Sequence, residues 1–290
     1  MATGSDCSLL PAPPPRIGAF TVLEPISAQE DEATYLGEHT YLGNQVHIRI
    51  VPPGPRAHMA ARRLLAEATA IQRVAHPGLP VLLDAGSDPE GSTYLVTEVV
   101  GGAALSTLLD RGVHLSLRQV IDIAGQLAAI LTAAHARGVC HGALAPGAVR
   151  LVGDPAVPGG QRVVLLGLGA AAGAPADDVV AFGRLLLQLL GARADAPPWL
   201  EDLVRDVLRP ATTPAMEEVN RQLAAGAARA ESAWPAAADA LPAAAFARHA
   251  TAAAAAHATR RRGVDPMAVI VFAIVCASLV LLLLAAHKTL

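Results

Sequence analysis

Glu30-Asp31-Glu32 sets three carboxylates side by side, and because like charges repel, the run reads as a solvated hairpin tip that would turn a polyanion away. The three cysteines, Cys7, Cys140 and Cys276, lie far apart with no Cys-x-x-Cys or Cys/His ligand spacing. Neither a disulfide framework nor a zinc site is expected, and a reducing compartment fits. The most informative stretch is His141-Gly142-Ala143-Leu144-Ala145-Pro146-Gly147-Ala148-Val149-Arg150-Leu151. It carries alanine at 143, 145 and 148, and an alanine cannot accept a proton, neutralise a phosphate or ligate a metal.

The elements that must position these residues are legible from periodicity. Ile17 to Leu23 has the alternating, β-rich pattern of a first strand, and Gln45 to Val51 that of a second. From Ala60 to Ala75, Leu64, Ala68, Ile71 and Ala75 recur at helical spacing, and His76-Pro77 stops the helix. Strands at Val81 to Leu83 and Thr93 to Val100 follow. Ser116 is an N-cap for a helix with Val120, Ile123, Ala124, Leu127, Leu131 and Ala134 on its buried face, ending near Gly138 and delivering the chain to His141. Val163 to Leu166 is a continuous apolar strand, and Asp178 opens a helix buried through Leu185 to Leu190.

In that order the landmarks resemble the bacterial serine/threonine protein kinases of eukaryotic type, over about Ile17 to Ala225. The family's catalytic loop reads His-Arg-Asp-Leu-Lys-Pro-x-Asn, in which the Asp orients the substrate hydroxyl, the Lys steadies the phosphate and the Asn holds a metal ion. The resemblance places Ala143, Ala145 and Ala148 at those three positions and keeps His141, Leu144 and Pro146. Gly167-Leu168-Gly169 stands where the family has Asp-Phe-Gly, so the second metal-binding carboxylate is Gly167. Ser27, Gln29 and Glu32 fall at the three glycines of the phosphate loop, and Arg49 at the strand lysine. His47 takes the place of the small residue over adenine, where it either fills the volume of the base or is an edge histidine with no ligand. Arg150 replaces an apolar residue on the floor of that site. Glu67 matches the family's helix glutamate, which implies an exposed Arg49–Glu67 pair contributing ~0–1 kcal/mol. Ile71, His141 and Leu168 are expected to stack between the lobes, with Asp178 holding the loop backbone from beneath. Only Ala170 to Asp177 is left for an activation segment, too short for the family's peptide-docking surface, and Thr213 replaces the arginine that pairs with its anchor.

The chain of 290 residues is 53% hydrophobic and 16% charged, more apolar than an ordinary soluble domain. A net charge of -3 offers no basic face, which excludes nucleic acid as a partner. Residues 1–16 are a proline-rich leader without a secretory core. After Ala224 the chain becomes an Ala-rich connector broken by Pro235 and Pro242. Arg260-Arg261-Arg262 then precedes Asp265, Pro266 and an uncharged apolar run from Met267 to Ala286, long enough for the ~30 Å hydrocarbon layer. The expected organisation is α+β: a two-lobed kinase-like domain (N-lobe 17–100, C-lobe 103–225), a linker 226–263, one transmembrane helix 264–286 and a short external tail 287–290. Basic residues before the span put the large domain on the cytoplasmic side of the inner membrane. The expected function is that of a pseudokinase, a binding or scaffold module with a cytoplasmic protein partner such as an active kinase. No cofactor and no metal are expected. The alternative is a serine/threonine kinase that binds ATP and Mg through an atypical site.

Overall fold

The computed structural model describes residues 14–29, 31–157, 160–191, 195–209 and 213–231. The leader to residue 13, the linker from 232 and the expected span 264–286 lie outside the described residues.

The first half forms one antiparallel sheet. Its strands are β1 (Arg16–Ile17), β2 (Phe20–Ala28), β3 (Ala33–His39), β4 (Gln45–Val51), β5 (Leu82–Ser87) and β6 (Thr93–Glu98), in the order β1-β2-β3-β4-β6-β5. The single strand expected from Ile17 to Leu23 is divided. Gly18 takes φ +54, and the turn folds β1 back on β2. β2 then runs further than the pattern suggested, to Ala28. Its pairing with β3 slips between Val22 and Glu24 and again between Pro25 and Ser27, where proline lacks the N–H that a regular ladder needs.

In β4, Val46, Ile48 and Ile50 are buried while Gln45, His47 and Arg49 alternate onto the other face. The buried set joins Ile17, Phe20, Ala33, Tyr35 and Val96 in one cluster. Helix α1 (Ala57–Val74) buries Ala60, Leu64 and Ala68 against Val51 and Leu95. It starts three residues before the predicted onset and ends at Ala75, which adopts a left-handed cap (φ 46) ahead of His76-Pro77.

β7 (Ala103–Ala104) and the short helix α2 (Leu105–Asp110) lead into α3 (Leu117–His135). The α3 N-terminus is a reciprocal capping box, with Gln119 N–H donating to Ser116 Oγ (3.3 Å) and Ser116 N–H to Gln119 Oε1 (2.8 Å). Every residue predicted for its inner face is buried. Among the described residues α3 is the one helix long and apolar enough to cross a membrane, but it is a core helix of this domain. β8 (Val149–Gly153) pairs with β7 on one side and β9 (Gln161–Leu165) on the other in a second, three-stranded sheet.

Helices α4 (Pro175–Leu190), α5 (Pro198–Val207) and α6 (Met216–Glu231) complete the domain. α6 overruns the expected boundary at 225. Alanine favours helix there, and Gly226, lacking a side chain, lets the Trp199 ring lie against its backbone.

Candidate functional site

Asp178 organises the loop that begins at His141. It is carried on the first turn of α4, whose own N-terminus is held by Asp177 accepting from Ala174 N–H (2.9 Å). The Asp178 carboxylate is buried and accepts from His141 N–H (2.7 Å), Gly142 N–H (2.8 Å) and His135 Nε2 (2.9 Å). Burial alone would raise its pKa, but these donors more than offset it, and the carboxyl is held below the usual range. His135 comes from the last turn of α3 and was not singled out in the sequence, because its partner lies forty-three residues away. Cys140 joins His135 and Asp178 within 4.8 Å, a grouping hidden from ligand spacing. Burial and the neighbouring Asp178 and Asp177 raise its pKa, which keeps the sulfur a thiol.

His141 is fully engaged as a neutral ring. Its Nε2–H donates to the Leu166 carbonyl (2.9 Å) and its Nδ1 accepts from Ala143 N–H (3.3 Å). Burial lowers its pKa against the opposing pull of the Leu166 carbonyl, Asp178 and Glu67. Burial likewise lowers His47, helped by the Arg150 charge, and His76, helped by Arg137. In the unfolded chain these imidazoles take up protons near pH ~6.5, whereas the native state withholds them. The unfolded state then binds more protons, so stability falls as pH drops below about 6.5. Thermal melts should therefore give a lower Tm at pH ~5.5 than at pH ~7.5, and a flat or rising Tm on acidification would contradict these assignments.

Beyond β9 the Gly167-Leu168-Gly169 turn meets helix α1. Leu168 is buried, as are Ile71 and His141. Gly167 N–H donates to Glu67 Oε1 (3.1 Å), and a Cβ on Gly169 would lie 2.7 Å from that of Ala70. The other Glu67 oxygen accepts from Arg49 Nη1, while Glu32 accepts from Arg49 Nε and, at 3.2 Å, from Nη2. Two expectations change here. Glu32 is not part of a solvated tip, because it folds back on Arg49. The Arg49–Glu67 pair is not exposed, since the Glu67 side chain is only 4% accessible and that of Arg49 29%. Burial by itself would lower the arginine pKa, but Glu67 and Glu32 overcome it and raise it.

His47 and Arg150 lie on facing lobes, close enough for the Arg150 charge to act on the imidazole. Arg150 Nη1 reaches the Gly102 carbonyl (3.4 Å), between β6 and β7, and its Nε is buried without a partner. Burial lowers its pKa. Ser27 pairs with Thr34 one step before the β2 ladder ends at Ala28, and Gln29 N–H closes the hairpin on the Glu32 carbonyl (2.8 Å). Ala143, Ala145 and Ala148 lie along the loop and the 3-10 turn Pro146–Ala148, and with Gly167 they offer no side-chain donor, acceptor or ligand.

The link from Leu166 to α4 is short and lies directly on this loop. Gly142 has φ +77, and a Cβ there would run into the Ala171 carbonyl, while one on Gly173 would lie 2.9 Å from Gly142 Cα. The segment 171–173 thus covers the backbone between His141 and Ala143.

No family model matches the chain. It is 31% identical over 142 residues to the serine/threonine-protein kinase Pkn1 of Myxococcus xanthus, covering 47% of this chain and 20% of that protein. It is 39% identical over 89 residues to the serine/threonine-protein kinase PknA of Mycobacterium tuberculosis, covering 29% of this chain and 21% of the relative. The matched stretches thus span about a fifth of the length of these relatives. Among solved structures, a doubly substituted PknI kinase domain from Mycobacterium tuberculosis superposes with a TM-score of 0.56 at 20% identity, covering 72% of this chain and 96% of that domain. The chain therefore has a kinase-like fold, a β-sheet N-lobe followed by a helical region, and its sequence relatives are bacterial serine/threonine protein kinases.

Proposed function

We propose that this chain is a pseudokinase: a kinase-like domain that serves as a binding or scaffold module for a cytoplasmic protein, such as an active kinase, and transfers no phosphate. The observation that supports this reading most is the chemistry of four positions, Ala143, Ala145, Ala148 and Gly167, on a backbone that is otherwise well held. Phosphoryl transfer is mostly positioning and charge neutralisation by a lysine and metal ions. Loss of an acid-base group alone costs about 10²–10⁴ in rate, and here no neighbouring carboxylate or lysine stands at those places to substitute. The short link to α4, with 171–173 lying on Gly142, fits a domain without the family's extended peptide-docking segment.

The expected span 264–286, with its apolar run from Met267 to Ala286, is proposed to attach the module to the inner membrane with its domain facing the cytoplasm. Truncation after Gly263 should then move the protein from the membrane to the soluble fraction, and retention in the membrane would count against the span.

The decisive test is nucleotide. A ligand at ~100 times its dissociation constant stabilises a fold by ~2.7 kcal/mol, several degrees in Tm. Millimolar Mg-ATP is expected to leave Tm unchanged, whereas a saturable upward shift would support an ATP-binding kinase with an atypical site.

A further inference from the structure

We propose that Glu32 acts as an internal anion on Arg49, locking the β2–β3 hairpin tip, strand β4, helix α1 and the Gly167 turn into one unit through the chain's own groups. The arrangement is continuous. Glu32 holds the Nε and Nη2 edge of the guanidinium, Glu67 holds Nη1, and the second Glu67 oxygen holds Gly167 N–H. Three side chains and one backbone N–H thereby link four segments, adding to the β3–β4 ladder that already joins two of them.

Three features make the lock depend on these residues. First, only a planar fork with donors on two edges can serve two carboxylates arriving from different directions, and an ammonium has no such edges. Second, a cavity of about 360 Å³, lined by Gln29, Asp31, Glu32, Ala60 and Arg63, lies between the hairpin tip and α1. The tie therefore crosses between the hairpin and the helix beside a gap rather than through continuous packing. Third, one cation faces two anions, so the cluster already carries excess negative charge. A polyanion approaching Arg49 would have to displace Glu32 first. The inference is independent of whether the domain transfers phosphate, since it concerns only what holds α1 to the hairpin.

Amide hydrogen exchange on the purified full chain at low salt tests it, with wild type, Glu32→Gln and Asp31→Asn compared, each checked for native circular dichroism. Asp31→Asn removes a neighbouring charge and should exchange like wild type. In Glu32→Gln, amides of residues 57–74 and 33–39 should exchange about tenfold faster, the scale set by a lost charge-assisted bond. Inorganic tripolyphosphate should restore that protection in Glu32→Gln by taking the freed edge of Arg49. Exchange in Glu32→Gln that matches Asp31→Asn would overturn the lock, and a loss that tripolyphosphate does not restore would overturn the role of Glu32 as an anion on Arg49. A Mg-ATP shift in wild type would sink the pseudokinase reading yet leave the difference between the two variants to be decided on its own.

Discussion

Asp178→Ala is expected to lower Tm by about 10 °C. The buried N–H of His141 and the part-buried N–H of Gly142 lose their acceptor together, as does the part-buried His135 ring. A buried unsatisfied group costs ~1–3 kcal/mol, and with two of the three only part-buried the sum falls toward the low end, about 3–5 kcal/mol, each kcal/mol moving Tm by ~2–4 °C in a domain of this size. Asp178→Asn keeps one carbonyl oxygen and should recover about half of the loss. The neighbouring Asp177 supplies the contrast, because it is exposed and only caps α4. Asp177→Ala should cost about 1 kcal/mol. Equal losses for Asp177→Ala and Asp178→Ala in thermal melts would mean that the loop does not depend on the buried carboxylate.

The second large effect belongs to Arg49. Arg49→Met leaves Glu67 with a buried, unpaired charge, and breaking such a pair from one side costs about 3–5 kcal/mol. Glu32, at the edge, can turn to solvent and contributes less. Arg49→Lys should recover only part of the loss, because one ammonium cannot reproduce the fork that Glu32 and Glu67 share. Glu67→Gln retains an oxygen for Gly167 N–H and is the milder change on the helix side. These losses are read from urea unfolding. An Arg49→Met variant within about 1 kcal/mol of wild type would mean that the pair is as screened as an ordinary surface ion pair.

Periodicity and capping are local, and what they encode was legible in the sequence. The inner face of α3, its Ser116 cap and the stop of α1 before Pro77 follow from neighbours within a turn or two. The alanines at 143, 145 and 148 are a matter of residue identity alone and call for no structure. Long-range pairing was legible only where the family resemblance supplied it, in the Arg49–Glu67 pair and in Asp178 beneath the loop. Glu30-Asp31-Glu32 looks like a solvated acidic tip because its own neighbours are acidic, and the arginine that draws Glu32 inward sits seventeen residues later, on another strand. The gathering of His135, Cys140 and Asp178 depends on α4 crossing the end of α3, which no spacing rule expresses. The split of the first strand turned on one glycine with a positive φ, a conformation open to glycine but not imposed by it. The overrun of α6 to Glu231 reflects Trp199, a partner from a different helix.

The short crossing over Gly142 decides which side chains the loop after His141 can hold. In the family's pattern an arginine follows the loop histidine, and here that place is Gly142, at φ +77, with the Ala171 carbonyl where its Cβ would go. An aspartate at 143, a lysine at 145 or an asparagine at 148 can be introduced by single codon changes or a few of them. A side chain at 142 does not fit unless 171–173 moves away, so the link and the loop can only change together.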